Sequence, residues 1–216
     1  MNNLFILLVF ASILILYSQY ITINTLTNTK YEIIQGNNPD KDTFEDLLKG
    51  KNVVVLTNIF ENIDKTLFIT DKLDDNEDLK IKLLDQFRYY HIPMTFTYNF
   101  KIENEEKNSY KPIIKESSYR HLIVLLKGLK KIIIFNPKQK ENLHTKNNQS
   151  LINFWEGDKT QFSNYSKLEY IEIVLKDNQM IYIPYGWWYS EYNMTDTSSV
   201  SSFSESVFSY IFKKKI

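Results

Sequence analysis

The sequence predicts a mainly β domain with a few flanking helices, preceded by an apolar helix at the N-terminus. Gln179 to Tyr189 (QMIYIPYGWWY) has the aromatic and β-branched content of strands, and Pro184 must interrupt it because proline has no N–H to donate to a ladder. Gly186 supplies a turn after the proline. Arg120 to Pro137 contains two further β-branched runs separated by a glycine. Leu4 to Ile23 is apolar over almost its whole length.

The N-terminal apolar run is long enough to cross a membrane. Only Ser12 interrupts the apolar residues from Leu4 to Tyr17, and a helix that continues to Ile23 spans roughly 30 Å at about 1.5 Å per residue. We therefore predict a transmembrane anchor over residues 1–23 and a single-pass membrane protein. A cleaved signal peptide is the main alternative, although no Lys or Arg precedes the run and no small-x-small cleavage site follows it. A helix buried in a protein core is the third interpretation.

Only a few charged residues bear on the side of the membrane on which the domain lies. Lys30 and Lys41 are the first basic residues after the run and none precedes it, so the positive-inside tendency favours a cytosolic domain. Lys213 to Ile216 (KKKI) has the form of a dilysine retrieval signal, which is read in the cytosol, and equally fits a solvated charged tail. Glycosylation sequons at Asn148, Asn164 and Asn193 would place the domain on the opposite side, but an Asn-rich chain contains such sequons by chance.

The composition excludes several classes of function. Lys plus Arg and Asp plus Glu are balanced at 26 each, so nothing indicates a phosphate-binding surface, and we expect no nucleic-acid partner. The chain has no Cys, which excludes a disulfide framework, a zinc-thiolate site and a thiol nucleophile. A length of 216 residues predicts one globular domain beyond the apolar run.

After the apolar run, the chain is predicted to continue with a loop, a helix and a strand. Gln35 to Lys41 is a polar stretch with Gly, Asn and Pro, which we predict to be a linker or first loop. Asp42 is a suitable N-cap with Glu45 three residues later, and Gly50 is a suitable helix end. Lys51 to Thr57 (KNVVVLT) has the composition of a buried strand.

Hydrophobic periodicity predicts the later elements. An amphipathic helix spans Asn76 to His91 and ends before Pro93, a half-buried strand spans Thr95 to Ile102, a charged loop spans Glu103 to Ser109, a strand spans Glu169 to Leu175, and the final strand spans Val200 to Phe212. Asp177 and Asn178 are turn residues, so the strand before them and the strand after them are predicted to form a hairpin.

These motifs together resemble a known family. The stretch from Gln179 to Tyr189 is similar to the end of the double-stranded β-helix in JmjC and cupin-like 2-oxoglutarate oxygenases, where an apolar strand, Pro, two residues, Trp and an aromatic precede a metal-binding His. Arg120 to Pro137 resembles the family's strand, Gly-x-Lys, strand, Pro segment, with Gly128 and Lys130 at the matching positions. With Asn153 to Glu156, the likeness covers roughly residues 40–210.

The resemblance implies a fold and a division of the chain. The expected fold is a double-stranded β-helix, the jelly-roll or cupin-like architecture, with flanking helices. We therefore predict a transmembrane anchor over residues 1–23, a linker over residues 24–41 and a JmjC/cupin-like domain over residues 42–216.

The resemblance also implies where a metal would bind, and those positions are substituted. In such enzymes two His and a carboxylate hold iron, and the first two ligands form a His-x-Asp or His-x-Glu about a dozen residues before the Gly of Gly-x-Lys. In register, Lys115 and Ser117 occupy those two positions, and Tyr189 occupies the position of the third ligand. None of the three histidines, His91, His121 and His144, is followed two residues later by a carboxylate. We therefore expect no iron and no other metal at this place.

A pocket is expected from four other residues. Lys130 matches the Lys that pairs with the distal carboxylate of 2-oxoglutarate in many family members, although a Lys at a strand start is ordinarily solvated. His121 would face the same pocket if strand alternation holds, unless it is a structural His. Trp187 and Trp188 complete the expected set.

Three hypotheses of function follow. The favoured one is a membrane-anchored, catalytically degenerate JmjC/cupin-like module without a cofactor, which acts by binding or as a structural component and whose partners are the membrane and either another protein or a second copy of the chain. The alternative is a hydroxylase dependent on Fe(II) and 2-oxoglutarate with relocated ligands among His121, Glu116 and His91. The third is a non-enzymatic cupin that binds a sugar or another small molecule.

Overall fold

The computed structural model describes residues 2–24, 31–59, 95–156 and 164–212. The predicted amphipathic helix from Asn76 to His91 lies outside the described residues, and so does the basic segment from Lys213 to Ile216.

Helix α1, Asn2–Asn24, is the apolar helix that the sequence predicts. Its segment from Phe5 to Ile23 is long and apolar enough to cross a membrane, and only a small part of it is buried against the rest of the chain. The interpretation as a core helix is therefore wrong, because a core helix would bury its apolar side chains. The ammonium of Lys51 donates to the carbonyl oxygens of Thr22 (2.6 Å) and Ile23 (3.1 Å), which satisfies carbonyls that the end of a helix leaves unpaired.

The rest of the described chain is mainly β. The strands are β1 (Ile33–Asn37), β2 (Val53–Thr57), β3 (Thr95–Glu105), β4 (Ile114–Lys115), β5 (Arg120–Lys127), β6 (Lys130–Phe135), β7 (Thr145–Lys146), β8 (Gln149–Ser150), β9 (Ile171–Leu175), β10 (Gln179–Pro184), β11 (Trp188–Asn193) and β12 (Thr197–Ser206). Helix α2 spans Lys41–Lys49 and helix α3 spans Val207–Phe212, with short 3-10 helices at Pro137–Glu141 and Tyr165–Lys167.

The described strands form two sheets of six. The order in sheet A is β1-β2-β10-β5-β12-β3, and the order in sheet B is β7-β8-β4-β11-β6-β9. All pairings between the described strands are antiparallel except the parallel pair of β1 and β2. Consecutive strands cross repeatedly between the sheets, from β5 to β6 and from β9 through β10 and β11 to β12. The predicted fold class, a mainly β jelly-roll or cupin-like domain with flanking helices, is confirmed.

The hairpin predicted around Asp177 and Asn178 is wrong. β9 pairs with β6 in sheet B, whereas β10 lies between β2 and β5 in sheet A. The turn residues reverse the chain as expected, and Asn178 adopts a positive φ of 62°. Turn chemistry specifies a reversal but not the sheet that the next strand joins, because that choice depends on partners far away in sequence.

Three predicted boundaries also need correction. The N-cap of α2 is Asp40 rather than Asp42, and its carboxylate accepts from the backbone N–H of Thr43 at 2.8 Å. The charged residues up to Glu105 continue β3 instead of forming a loop, and the predicted final strand ends at Ser206, where α3 begins.

The first loop contains a strand that the sequence did not predict. Gln35 to Asn37 belong to β1, although Gly and Asn are poor strand formers, because β1 pairs with β2 along its whole length. The strand predicted from Lys51 begins instead at Val53.

Alternation along the strands sorts the core into layers. Between the sheets lies an apolar cluster that includes Val55, Ile123, Ile132 and Ile181. Further apolar clusters cover the outer faces, one with Phe44 of α2 against sheet A and one with Trp188 on sheet B. Part of the space between the sheets is polar, and the candidate site lies there.

Candidate functional site

A cavity of about 400 Å³ lies at one end of the space between the sheets. Lys115, Ser117 and Tyr189, the three positions that the resemblance assigns to metal ligands, all line it. The complete lining is Thr97, Asn99, Ile114, Lys115, Glu116, Ser117, Ser118, Tyr189, Phe203 and Glu205. The structure therefore brings Tyr189 to the same cavity as Lys115 and Ser117, which lie far from it in the chain.

Pairing between β4 and β11 holds these residues in place. Lys115 pairs with Trp188 and Ile114 pairs with Tyr189. The backbone N–H of Glu116 donates to the carbonyl of Trp187 (2.7 Å), and the N–H of Gly186 donates to the carbonyl of Glu116 (2.9 Å). Gly186 has a φ of 85°, a conformation that side chains with a Cβ rarely adopt, so the turn predicted from this glycine directly shapes the wall of the cavity.

Glu116, which lines the cavity, forms a buried pair with His121, which does not. The Nδ1 of His121 lies 2.5 Å from Oε2 of Glu116, although its direction is poor for a hydrogen bond. Oε1 of Glu116 accepts from the backbone N–H of Ser118 at 2.5 Å. The His121 ring stacks on Phe203 with centroids 4.2 Å apart, and its Nε2 has no hydrogen-bond partner in the described part of the chain. Two of the three ligands proposed for a relocated metal site thus lie together, whereas His91 is outside the described residues.

Tyr189 presents a neutral phenol to the cavity. Burial raises the pKa of its hydroxyl well above the usual value, and the carboxylate of Glu116 adds to the rise. The side chain is 4% exposed, and its ring centroid lies 5.4 Å from that of His121. A phenol that resists deprotonation is a poor replacement for a neutral imidazole as a ligand of ferrous iron.

Lys130 lies on the same inner face of sheet B as Tyr189 but does not line the cavity. Ile134 of β6 pairs with Tyr189, and Lys130 lies on the same side of β6 four residues earlier, about 13 Å away at the usual rise. Its ammonium is completely buried and lies 2.6 Å from Oε2 of Glu191, 2.8 Å from Oε2 of Glu105 and 3.1 Å from Oγ of Ser199.

A cluster of buried charges, which we call the inner ion cluster, therefore surrounds Lys130. It consists of Glu103, Glu105, Glu191, Lys111 and Lys130. Oxygens of its three carboxylates lie within 4.8 Å of one another, close enough to hold a metal ion by distance alone. The ammonium of Lys111 lies 2.6 Å from Oε2 of Glu103 and 3.3 Å from Glu191, so the two lysines supply the positive charge.

The pKa values in the inner ion cluster follow from this pairing. Burial alone would raise the pKa of each carboxylic acid, but the neighbouring lysines outweigh it and lower the pKa of Glu103, Glu105 and Glu191. Burial likewise opposes the charge of Lys111, yet the three carboxylates raise its pKa above the usual value. Glu103, Glu105, Glu191 and Lys111 are therefore charged near neutral pH.

Sequence reasoning missed the inner ion cluster because it took Glu103 to Ser109 as a loop. One signal could have found it: Lys101, Glu103 and Glu105 continue the period of two that β3 begins, so they face the same side of the strand. The carboxylates of Glu103 and Glu105, on the inner face of the strand, require buried partners of opposite charge, whereas the side chain of Lys101 is largely exposed.

The other residues of the expected pocket have structural positions. Among the residues that the structure describes, the lining of the cavity includes none of His121, Lys130, Trp187 and Trp188. Trp187 belongs to the apolar cluster between the sheets. Trp188 packs with Phe135 and Phe154 on the outer face of sheet B.

One comparison with known proteins gives a match. Residues 97–203 match a family model described as a cupin-like domain. The match runs from β3 into β12 and includes every residue that lines the cavity except Glu205. No curated protein matches the chain.

Proposed function

Because residues 97–203 form a cupin-like domain, we propose that the chain is a membrane-anchored, catalytically degenerate cupin-like module that acts by binding. The cavity between β4, β11 and β12 is its binding site. One observation carries this proposal: the three places where the resemblance expects iron ligands converge on one cavity and present Lys115, Ser117 and Tyr189.

Ligand chemistry argues against iron at this place. A ferrous site of the facial-triad type needs about three protein donors, and neither an ammonium nor a neutral phenol donates well. Burial, and then the charge of Lys140, lowers the pKa of Lys115, but its positive form repels a cation. The neutral hydroxyl of Ser117 is a weak ligand for ferrous iron.

The position of Lys130 argues against 2-oxoglutarate as a co-substrate. A lysine that pairs with the distal carboxylate of this acid must offer its ammonium to the ligand. In this chain Glu191 and Glu105 already bind that ammonium, and the side chain is fully buried. An entering dianion would have to displace two carboxylates from a desolvated site, which is unfavourable.

Membrane anchoring is supported by α1, whose exposed apolar surface has no other cover in the described chain. We place the domain on the cytosolic side because the basic residues Lys30 and Lys41 follow the helix and none precedes it. The ligand of the cavity is a small molecule or a side chain of a protein partner or of a second copy.

Iron and succinate measurements test the proposal. The full-length chain, purified in detergent, is incubated with ferrous iron and 2-oxoglutarate in air, and bound metal and succinate are measured. We expect no stoichiometric iron and no succinate above a protein-free control. A triple variant, Lys115→His, Ser117→Asp and Tyr189→His, restores the family's ligand types and is the positive control for metal capture.

The hydroxylase with relocated ligands is the second candidate, favoured by the adjacent buried Glu116 and His121 with the open Nε2 of His121. It predicts stoichiometric iron in the unmodified chain, lost in Glu116→Gln and in His121→Asn. Iron that is bound by the unmodified chain and lost in Tyr189→Phe would equally overturn the proposal of a catalytically degenerate module. Iron retained in all three variants would place the metal elsewhere and leave the cavity proposal standing.

A sugar or another small polar molecule is the third candidate, because Tyr189 and Phe203 line the cavity beside the polar groups of Asn99 and Ser118. A thermal-shift screen of small polar molecules tests it, with Ser117→Trp as the control variant that fills the cavity. A ligand that stabilises the unmodified chain and not this variant binds in the cavity.

A further inference from the structure

We propose that helix α3, Val207–Phe212, lies in the interface of the bilayer that α1 spans and contacts anionic lipid headgroups. The inference rests on the proposed membrane anchoring and adds a second membrane contact to it. It assigns a role to a short helix that the cupin-like match does not include.

The position of α3 beside the end of α1 is the first observation. The rings of Tyr20 and Phe212 meet edge to face, with centroids 5.9 Å apart and planes at 89°. Phe208 stacks parallel to Phe212 at 6.5 Å. The apolar segment of α1 ends at Ile23, so α3 lies at the level where a spanning helix leaves the hydrocarbon.

The second observation is that α3 turns its polar side inward. Ser209 is fully buried, and its hydroxyl donates to Oε2 of Glu205 at 2.7 Å while accepting from the backbone N–H of Ser206 at 2.8 Å. Tyr210 and Ile211 are 61% and 63% exposed. A helix on a water-exposed surface would normally bury the apolar side chains and expose the serine, so the reversed arrangement fits an apolar environment outside the protein.

The chemistry of the exposed side selects lipid as the partner. Tyrosine is enriched where a membrane meets water, because its ring is apolar and its hydroxyl is polar. The chain continues from Phe212 with three consecutive lysines, Lys213 to Lys215. Basic residues next to an apolar membrane-surface segment are attracted to anionic headgroups.

This arrangement also orients the domain. Glu205 both accepts from Ser209 of α3 and lines the cavity. If α3 rests on the bilayer, the end of the sandwich that holds the cavity lies toward the membrane.

The absence of cysteine from the chain permits a direct test. A nitroxide is attached to single-cysteine variants of the full chain in vesicles of phosphatidylcholine with and without phosphatidylserine. Ile211→Cys reports on α3, Leu8→Cys on α1, and Leu151→Cys is the matched control, since Leu151 is an apolar residue 60% exposed on the domain. Collisions with oxygen and with a polar nickel complex measure the depth of each label.

We expect the label at 211 to favour oxygen over the nickel complex, as at a depth of about 5–10 Å below the headgroups, and the label at 151 to behave as in water. The inference would be overturned if the label at 211 were as accessible to the nickel complex as the label at 151 while the label at 8 lay deep in the bilayer. That result would leave the anchor intact. A label at 8 accessible to nickel would instead overturn the anchor.

The lipid charge is tested separately in the Ile211→Cys background. Replacement of Lys213, Lys214 and Lys215 by Gln should make the label at 211 shallower in vesicles with phosphatidylserine and should change little in phosphatidylcholine alone. An equal depth with and without the three lysines in both vesicles would refute the contact with anionic headgroups.

Discussion

The ammonium of Lys130 lies 2.6 Å from Oε2 of Glu191, and these two side chains are 0% and 2% exposed. The pair joins β6 to β11 within sheet B, and Glu105 and Ser199 extend it to β3 and β12 of sheet A. A salt bridge so deeply buried is sensitive to the loss of one partner, because the remaining charge keeps its cost of desolvation.

We therefore predict that Glu191→Gln lowers the free energy of unfolding by about 3–5 kcal/mol. The change removes the carboxylate that faces both Lys130 and Lys111. Urea unfolding of the variant and of the unmodified chain measures the loss. The matched control is Lys131→Ala, which breaks a partly exposed pair with Glu172 on the outer face of the same strand and should cost about 1 kcal/mol or less. Equal losses in the two variants would contradict the buried role of Glu191.

We also predict that Lys130 and Glu191 are coupled. Lys130→Met with Glu191→Leu removes both charges, so the double variant should lose less stability than the sum of its single variants, by about 1–3 kcal/mol. Unfolding of the four proteins in urea gives this coupling energy. If the stability losses of the two single variants simply add, then Lys111 compensates Glu191 without Lys130, and Glu105 compensates Lys130 without Glu191.

Acid should weaken the domain through the inner ion cluster. The pKa values of Glu103, Glu105 and Glu191 are lowered in the folded chain, so the stabilisation that they give is present above the unfolded value of 4.5 and is lost as the pH falls through the folded values. We expect the free energy of unfolding to decline below about pH 4.5, less steeply in Glu191→Gln. A parallel decline in both proteins would assign acid sensitivity to other carboxylates.

Two glycines have a positive φ in the described part of the chain, and they should differ in their tolerance of alanine. A Cβ at Gly186 meets nothing within 4 Å, so Gly186→Ala costs only backbone strain, about 1–2 kcal/mol. A Cβ at Gly128 would lie 2.4 Å from the carbonyl oxygen of Asp196, so Gly128→Ala adds a clash between fixed backbone atoms and should cost more. Thermal unfolding of the two variants ranks them, and the opposite order would contradict this explanation.

Alkaline carbonate extraction tests the anchor. The full-length chain should stay in the membrane pellet. Leu14→Lys with Leu16→Lys should release it, because each lysine near the centre of a span costs about 2.5–3.5 kcal/mol of insertion free energy. A soluble full-length chain, or a mature N-terminus near residue 20, would favour the signal-peptide alternative.

The sequence predicted those parts of the fold that local residues specify. Pro184, Gly186 and Gly128 mark real ends of strands, and the apolar run is one helix. The sheet that each strand joins could not be predicted. The turn between β9 and β10 is compatible with a hairpin, and only the distant partners of the two strands place them in different sheets.

The sequence likewise predicted only part of the candidate site. Lys115, Ser117 and Tyr189 do line one cavity, because their register follows from motifs around fixed turns. The burial of Lys130 could not be predicted, because a lysine is tolerated in a core only where carboxylates from other strands reach it.

The pairing of β3 with β12 also sets an order for synthesis. Among the described strands, β3 lies at the edge of sheet A and pairs with β12, and Glu105 of β3 lies opposite Thr197, which the ribosome makes much later. Until β12 emerges, β3 offers an unpaired edge, and the carboxylates of Glu103 and Glu105 stay in water. The two-sheet fold therefore closes late in translation or after it. If α1 is the membrane anchor that we propose, the nascent domain folds while already tethered to a lipid surface.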